Sequence, residues 1–183
     1  MRRQIRINDD GRPVVLDYES FLAYHGGGAL AGAAIGFRAM DCAGSALSRA
    51  ALWDRQNLSV TTRHNGPGVR DAIEFVTRCV TRGRFRVEER ADRDSPCASH
   101  RAFQFTVSDG RRQVQIALRS AVLAEEFFDA VARSTQSQGS DQVRDELAAL
   151  KKAAAATVIA LPVGELFTVQ IQALQEHDTR EHA

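Results

Sequence analysis

The sequence predicts an α+β fold in which an antiparallel sheet is flanked by helices. Apolar residues recur with the helical period in residues 69–81. Residues 102–107 and 113–118 instead alternate as strands do, and the Ser-Asp-Gly-Arg segment that joins them is typical of a β-hairpin. Helices and strands do not alternate strictly along the chain, which favours an α+β fold over a doubly wound parallel sheet.

The first half of the chain is predicted to contain two extended segments, three helices and a strand. Residues 1–16 form two short extended segments around an Asp-Asp-Gly-Arg-Pro turn. Asp17 is expected to cap a helix that runs to Tyr24. A second helix is predicted over residues 29–52, a strand over residues 58–62, and the third helix after a glycine-rich turn.

The second half adds strands and two more helices. A strand is predicted over residues 84–88, before the polar loop 89–100 and the hairpin. A helix over residues 120–133 and a polar loop follow, and Asp141 is expected to cap a helix to residue 156. Pro162 prevents that helix from continuing, and residues 165–174 are predicted to form the last strand.

Length and composition limit the classes of protein to consider. The 183 residues suffice for one domain, which we expect over residues 1–175, with a flexible C-terminal tail over residues 176–183. A net charge of +1 does not indicate a nucleic-acid partner. The longest small apolar run, residues 29–37, is about half of a membrane span, and the N-terminus lacks the apolar core of a signal peptide. Three cysteines without a Cys-x-x-Cys motif indicate a reducing compartment, so we expect a cytoplasmic protein with no membrane partner.

The sequence HGGGALAGAAIGFR (residues 25–38) is the most unusual stretch. Gly28, Gly32 and Gly36 are four residues apart, so on a helix they would share one face. Gly26-x-Gly28-x-x-Ala31 also fits a loose dinucleotide fingerprint, but the preceding segment reads as a helix rather than a strand. Close packing against another helix is therefore the favoured interpretation, although a glycine-rich helix start could also hold an anion.

Two histidines lie on connecting segments beside small residues, and together they predict a pocket. Either His25 or His64 could act as a general base, with Asp71 orienting the ring. Alternatively, both are structural histidines and Asp71 only complements a helix dipole. The other candidate ligand-binding residues are Gly26, Gly27, Gly28, Asn65, Gly66 and Gly68. Cys97 and His100 supply only two ligands, which is too few for a structural zinc site.

Three blocks of the sequence resemble the FmdE-like family, which is related to formylmethanofuran dehydrogenase. The first runs from His25-Gly26 to Gly36-Phe37-Arg38 and is similar to the family's helix-ending His-Gly-His-x-Cys-Pro-Gly block with its Gly-x-Arg. The second contains Asp71-Ala72-Ile73 and Cys79. The third is a Glu-Leu-Phe-x-Val strand formed by Glu165, Leu166, Phe167 and Val169.

The resemblance implies an FmdE-like α+β fold with an antiparallel sheet, and a homodimer. It also implies that the family's metal site is altered here. The family's second histidine and its cysteines fall on Gly27, on Ala29 or Leu30, and on Gly68. His25 remains, with Cys79 as a matched thiol, so these two are the candidate ligands of a residual divalent transition metal; Cys79 also fits a small buried hydrophobe. His64 and Asn65 could take over part of the pocket.

The combined interpretation is an FmdE-like protein that binds a small ligand or a residual metal in a Gly/His pocket. Its role would be accessory, in one-carbon or metal-cofactor metabolism. One alternative is an enzyme that uses His25 or His64 as a general base after loss of the family metal site. Another is a structural or regulatory component in which the glycine helix forms a packing interface.

Overall fold

A computed structural model describes residues 3–49, 51–88, 99–136 and 141–174. The strands are β1 (Gln4–Asp9), β2 (Arg12–Asp17), β3 (Ser59–Thr62), β4 (Phe85–Val87), β5 (Gln104–Ser108), β6 (Arg112–Leu118) and β7 (Phe167–Ala173). The helices are α1 (Tyr18–His25), α2 (Leu30–Leu47), α3 (Pro67–Thr77), α4 (Glu125–Gln136), α5 (Asp141–Ala160) and α6 (Val163–Leu166). The predicted tail over 176–183 lies outside the described residues, as do Cys97 and most of the loop before β5.

The predicted α+β class is confirmed. The main sheet has the order β4-β3-β5-β6-β7, and its pairs are antiparallel except β3 with β4, which are parallel because α3 crosses over between them. β1 and β2, the two extended segments predicted around the first turn, pair as a hairpin separate from the main sheet. One face of the main sheet is buried, because alternate residues of β5 and β6 point inward: Phe105, Val107, Val114 and Ile116.

Helix α2 is the centre of the core. Thirteen of its 18 residues are buried, and it contacts α3, α5 and β6. The prediction that glycines line one face is confirmed for Gly32 and Gly36, which lie against Val69 of α3. It is wrong for Gly28, which precedes the helix with a φ of +85°. The glycine face of α2 is thus occupied by a helix of the same chain.

Two helix ends differ from the predicted ones for local reasons. α2 stops at Leu47, five residues early, because the following chain turns back and packs the Trp53 ring against Gly44. α3 stops at Thr77 because Arg78 adopts a left-handed φ of +61°. The Glu74 carboxylate then accepts the backbone N–H groups of Val80 and Thr81.

Arginines from distant parts of the chain hold the C-terminal ends of three helices. α2, α3 and α5 have no basic residue in their own last turns. Instead Arg112 donates to Leu47 O, and Arg55 donates to the carbonyls of Phe75 and Val76 at 2.8 Å. The end of α5 receives two arginines, Arg3 at Ile159 O (3.1 Å) and Arg38 at Leu161 O (2.8 Å). These guanidinium groups satisfy carbonyls that the helices leave unpaired and complement the negative ends of their dipoles.

Across the described ranges, no helix is both long enough and apolar enough to pass through a lipid bilayer.

Candidate functional site

A turn of three glycines fixes the position of His25. His25 is the last residue of α1, and the Gly26 N–H closes the helix by donating to Leu22 O at 3.0 Å. Gly26, Gly27 and Gly28 follow with φ values of +74°, +97° and +85°. Side chains rarely accept this region of backbone space, so three successive residues there require glycine. The turn directs the chain into α2 and leaves the His25 ring beside α3.

His25 and Asp71 form a partly buried pair. His25 Nδ1 lies 2.7 Å from Asp71 Oδ2, and the exposed fractions of the two side chains are 3% and 34%. Because a carboxylate only accepts, Nδ1–H is the donor. When the ring is neutral, its lone pair is therefore on Nε2. That atom is buried and has no hydrogen-bond partner among the described residues. The ring also stacks on Phe21.

His64 has the opposite arrangement of its ring nitrogens. It follows β3, is 5% exposed, and stacks on Phe103 with ring centroids 4.4 Å apart. Its Nδ1 accepts the Gly66 N–H at 3.0 Å, so the neutral ring carries its hydrogen on Nε2. Burial lowers the pKa of His64 from 6.5 to about 4. At pH 7 the ring is therefore neutral and offers a donor at Nε2.

Both histidines line one pocket of about 470 Å³. The predicted site residues that also line it are Gly27, Gly28, Gly66, Gly68 and Asp71. Gly26 and Asn65 do not; Gly26 caps α1, and both residues are exposed. The structure thus brings together most of the residues that the sequence suggested. It pairs Asp71 with His25 rather than with His64.

A further part of the pocket lining was not predicted from the sequence. It consists of Phe103, which stacks on His64, and of Phe127, Val131, Ser134, Leu147 and Lys151. The helical period of residues 127–131 could have indicated that α4 has a buried face. No local signal could have shown that this face of α4, or Lys151 of α5, lies at the same pocket as the glycine turn, which is about 100 residues earlier in the chain.

Cys79 lies away from the pocket. It follows the C-terminal end of α3, where its thiol donates to Leu58 O at 3.3 Å and burial raises its pKa. Asp71 is near the other end of α3, about 9 Å from Thr77 along the helix axis. His25, which is bonded to Asp71, and Cys79 are therefore not brought together.

In the described part of the chain, the side chains that could ligate a metal ion do not form a site that would hold one. No group of three or more His, Cys, Asp or Glu side chains there has a suitable arrangement. His25 Nε2 offers a single nitrogen, whereas protein metal sites use three or four ligands. We therefore derive no chemistry through a metal.

The depressed pKa of His64 predicts a specific pH dependence of stability. The unfolded chain takes up a proton at His64 below pH 6.5, whereas the folded protein does so only near pH 4. Stability must therefore fall as the pH is lowered through this interval, by about 2 kcal/mol between pH 7 and pH 5. Urea unfolding at the two pH values measures the effect.

A His64→Asn variant is the control for this prediction. Its amide oxygen can still accept the Gly66 N–H, but the side chain does not titrate. We expect the variant to be less stable than the wild type at pH 7. When the pH is lowered to 5, its free energy of unfolding should fall by about 2 kcal/mol less than that of the wild type. Equal losses in the two proteins would show that His64 is not the group responsible.

The chain matches a known family over most of its length. The model of a family described as FmdE, Molybdenum formylmethanofuran dehydrogenase operon, matches residues 24–168. This range includes both histidines, Asp71 and the whole lining of the pocket. A comparison with curated proteins finds no match.

Proposed function

The chain belongs to the FmdE family, and on that premise we propose that it binds a small organic molecule in the pocket between His25 and His64. Its role is accessory, in one-carbon or metal-cofactor metabolism. The link to one-carbon metabolism comes from the family, whereas the proposal of a small-molecule ligand comes from the pocket.

The observation that carries the proposal is the pair of imidazoles in opposite hydrogen-bonding states. His25 Nε2 is a buried acceptor and His64 Nε2–H is a donor, and neither has a partner among the described residues. A buried polar atom without a partner costs about 1–3 kcal/mol. His25 Nε2 is such an atom, and a ligand that donates to it would remove that cost, while the same ligand could accept from His64 Nε2–H. A mostly apolar pocket with a few convergent polar groups is typical of small-molecule sites.

The proposal predicts that small ligands raise the melting temperature. We would screen neutral, anionic and cationic molecules of up to about fifteen non-hydrogen atoms, a size suited to such a pocket. Binders should stabilise the wild type in proportion to their occupancy. They should not stabilise Ser134→Trp, because the new ring would fill the pocket.

Asp129→Trp is the matched control, since Asp129 is an exposed residue of α4 that does not line the pocket. Binders should stabilise this variant as they do the wild type. If binders stabilise Ser134→Trp equally well, the site is elsewhere. If no molecule stabilises the wild type, the small-ligand proposal is wrong.

The His25–Asp71 pair supports a second candidate function, an enzyme in which His25 is the general base. Asp71 holds Nδ1–H, which leaves the Nε2 lone pair to take a proton from a bound molecule. His64, neutral at pH 7, would donate a hydrogen bond to the charge that develops.

Hydrogen exchange tests the enzymatic candidate. A ligand found by the screen is incubated with the protein in D₂O and examined by NMR. Deuterium entering a C–H position, and doing so at least 100-fold more slowly with Asp71→Asn, would support a base at His25. A ligand recovered without exchange leaves binding as the function.

A further inference from the structure

We propose that the ligand of this pocket carries a single carboxylate, held where the N-terminal ends of α2 and α3 meet His64 and Lys151. The inference rests on the proposed small-molecule function and adds the chemical class of the molecule. Four features of the pocket support it: the helix ends, the His64 ring, the charged side chains and the apolar wall.

Two helix N-termini converge on the pocket, and neither is capped by a side chain. α2 begins after Ala29 and α3 after Gly66, and both of these cap residues line the pocket. Neither helix has an acidic residue in its first turn. The first-turn amides and the positive ends of both dipoles are therefore left without a negative partner from these helices, which favours an anion.

The His64 ring is an independent indication of a ligand. The ring is nine-tenths buried and lines the pocket, and its Nδ1 is already used by the Gly66 N–H. The remaining Nε2–H has no hydrogen-bond partner among the described residues and is not one of their fully buried unpaired atoms, so it is open to an acceptor that enters the pocket. A carboxylate oxygen is a stronger acceptor for such a donor than a neutral oxygen.

The charged side chains of the pocket favour one negative charge on the ligand. Lys151 is the lining residue with a permanent positive charge, and its Nζ lies 3.5 Å from Gly28 O at the glycine turn. Asp71 also lines the pocket, but its carboxylate is bonded to His25. Because the Asp71 carboxylate offsets part of the Lys151 charge, the two helix ends and one neutral donor remain to favour an anion, and this arrangement matches a monoanion better than a phosphate dianion.

The remaining wall indicates the body of the ligand. Phe103, Phe127, Val131 and Leu147 present aromatic and aliphatic surface to the pocket. A molecule with a carboxylate at one end and a short apolar body would pair its charge with the helix ends and bury its carbon atoms against this wall.

Matched acids and amides test the inference. The probes are benzoate, hexanoate and 3-phenylpropanoate, each with its own primary amide, and inorganic phosphate; affinities are measured by calorimetry. We expect at least one acid to bind about tenfold more tightly than its amide, and phosphate to bind more weakly than that acid. Lys151→Gln should remove most of the preference for the acid, because it should weaken binding of the acid far more than binding of the amide.

Lys152→Gln is the control variant, because Lys152 is the neighbouring residue and does not line this pocket. It should keep the preference of the wild type. An amide that binds as tightly as its acid, or phosphate that binds more tightly than every acid, would overturn the carboxylate inference and leave the pocket proposal standing. If a preference for the acid falls equally in both lysine variants, Lys151 does not contact the anion and the inference is wrong. If none of these probes binds while another molecule of the screen does, the carboxylate inference is overturned and the pocket proposal stands.

Discussion

A Gly68→Ala variant is expected to lose about 3 kcal/mol of stability. Gly68 lies in the first turn of α3, where this helix crosses the start of α2. A β-carbon at this position would lie 2.5 Å from Ala29 O and 2.6 Å from Ala33 N. Both are backbone atoms that no side-chain rotation can move away, so α2 and α3 would have to separate. Urea unfolding measures the loss.

Gly32→Ala provides the matched comparison on the facing helix. The nearest atom to its added β-carbon would be Val69 Cγ2 at 3.6 Å, an ordinary contact. Alanine is favoured over glycine inside a helix by up to about 1 kcal/mol, so this variant should be as stable as the wild type or more so. If Gly68→Ala were no less stable than Gly32→Ala, the close approach of the two helices would not be needed for the fold.

Replacing Arg38 with methionine should also cost about 3 kcal/mol. The Arg38 side chain is fully buried and donates to Asp41 at 2.6 Å and to Leu161 O at 2.8 Å. Methionine would fill much of the space, but it would leave a largely buried carboxylate and a helix-end carbonyl without their partner. Denaturant unfolding at pH 7 measures the difference.

The direction of the Asp41 pKa supplies a further check. Burial raises the pKa of Asp41, and the Arg38 charge opposes that rise. Without Arg38 the pKa of Asp41 must rise further. The difference in stability between the wild type and the variant should therefore be smaller at pH 5 than at pH 7. The double variant Arg38→Met, Asp41→Asn should recover part of the loss because it removes the unpaired charge. An Arg38→Met protein as stable as the wild type would show that the buried pair contributes nothing.

Features encoded by neighbouring residues were predictable from the sequence. The Asp17 cap was confirmed, since its carboxylate accepts the Ser20 N–H at 2.8 Å. The hairpins and the apolar period of α3 also depend on residues close in sequence. The parallel pairing of β3 with β4 was not predictable in this way, because it depends on α3 returning the chain to the end of the sheet where β3 begins. The end of α2 was misjudged because Trp53, beyond the helix, packs back onto Gly44.

The candidate site, too, could be predicted from the sequence only in part. The glycines beside His25 and His64 suggested that the two turns approach each other, and both line one pocket. The partner of each ring could not be deduced, because His25 and Asp71 are 46 residues apart while His64 uses a backbone N–H two residues away. The buried state that lowers the pKa of His64 depends on Phe103 and other distant side chains.

The arginines at the helix ends have a consequence for the order in which the chain acquires its structure. Arg38 is 123 residues from Leu161, and Arg3 is 156 residues from Ile159. On the ribosome, both guanidinium groups emerge long before the carbonyls that they bind. Before α5 is synthesised, Arg38 therefore has Asp41 as a partner but lacks the Leu161 carbonyl, so full burial of the guanidinium at that stage would leave a donor unpaired.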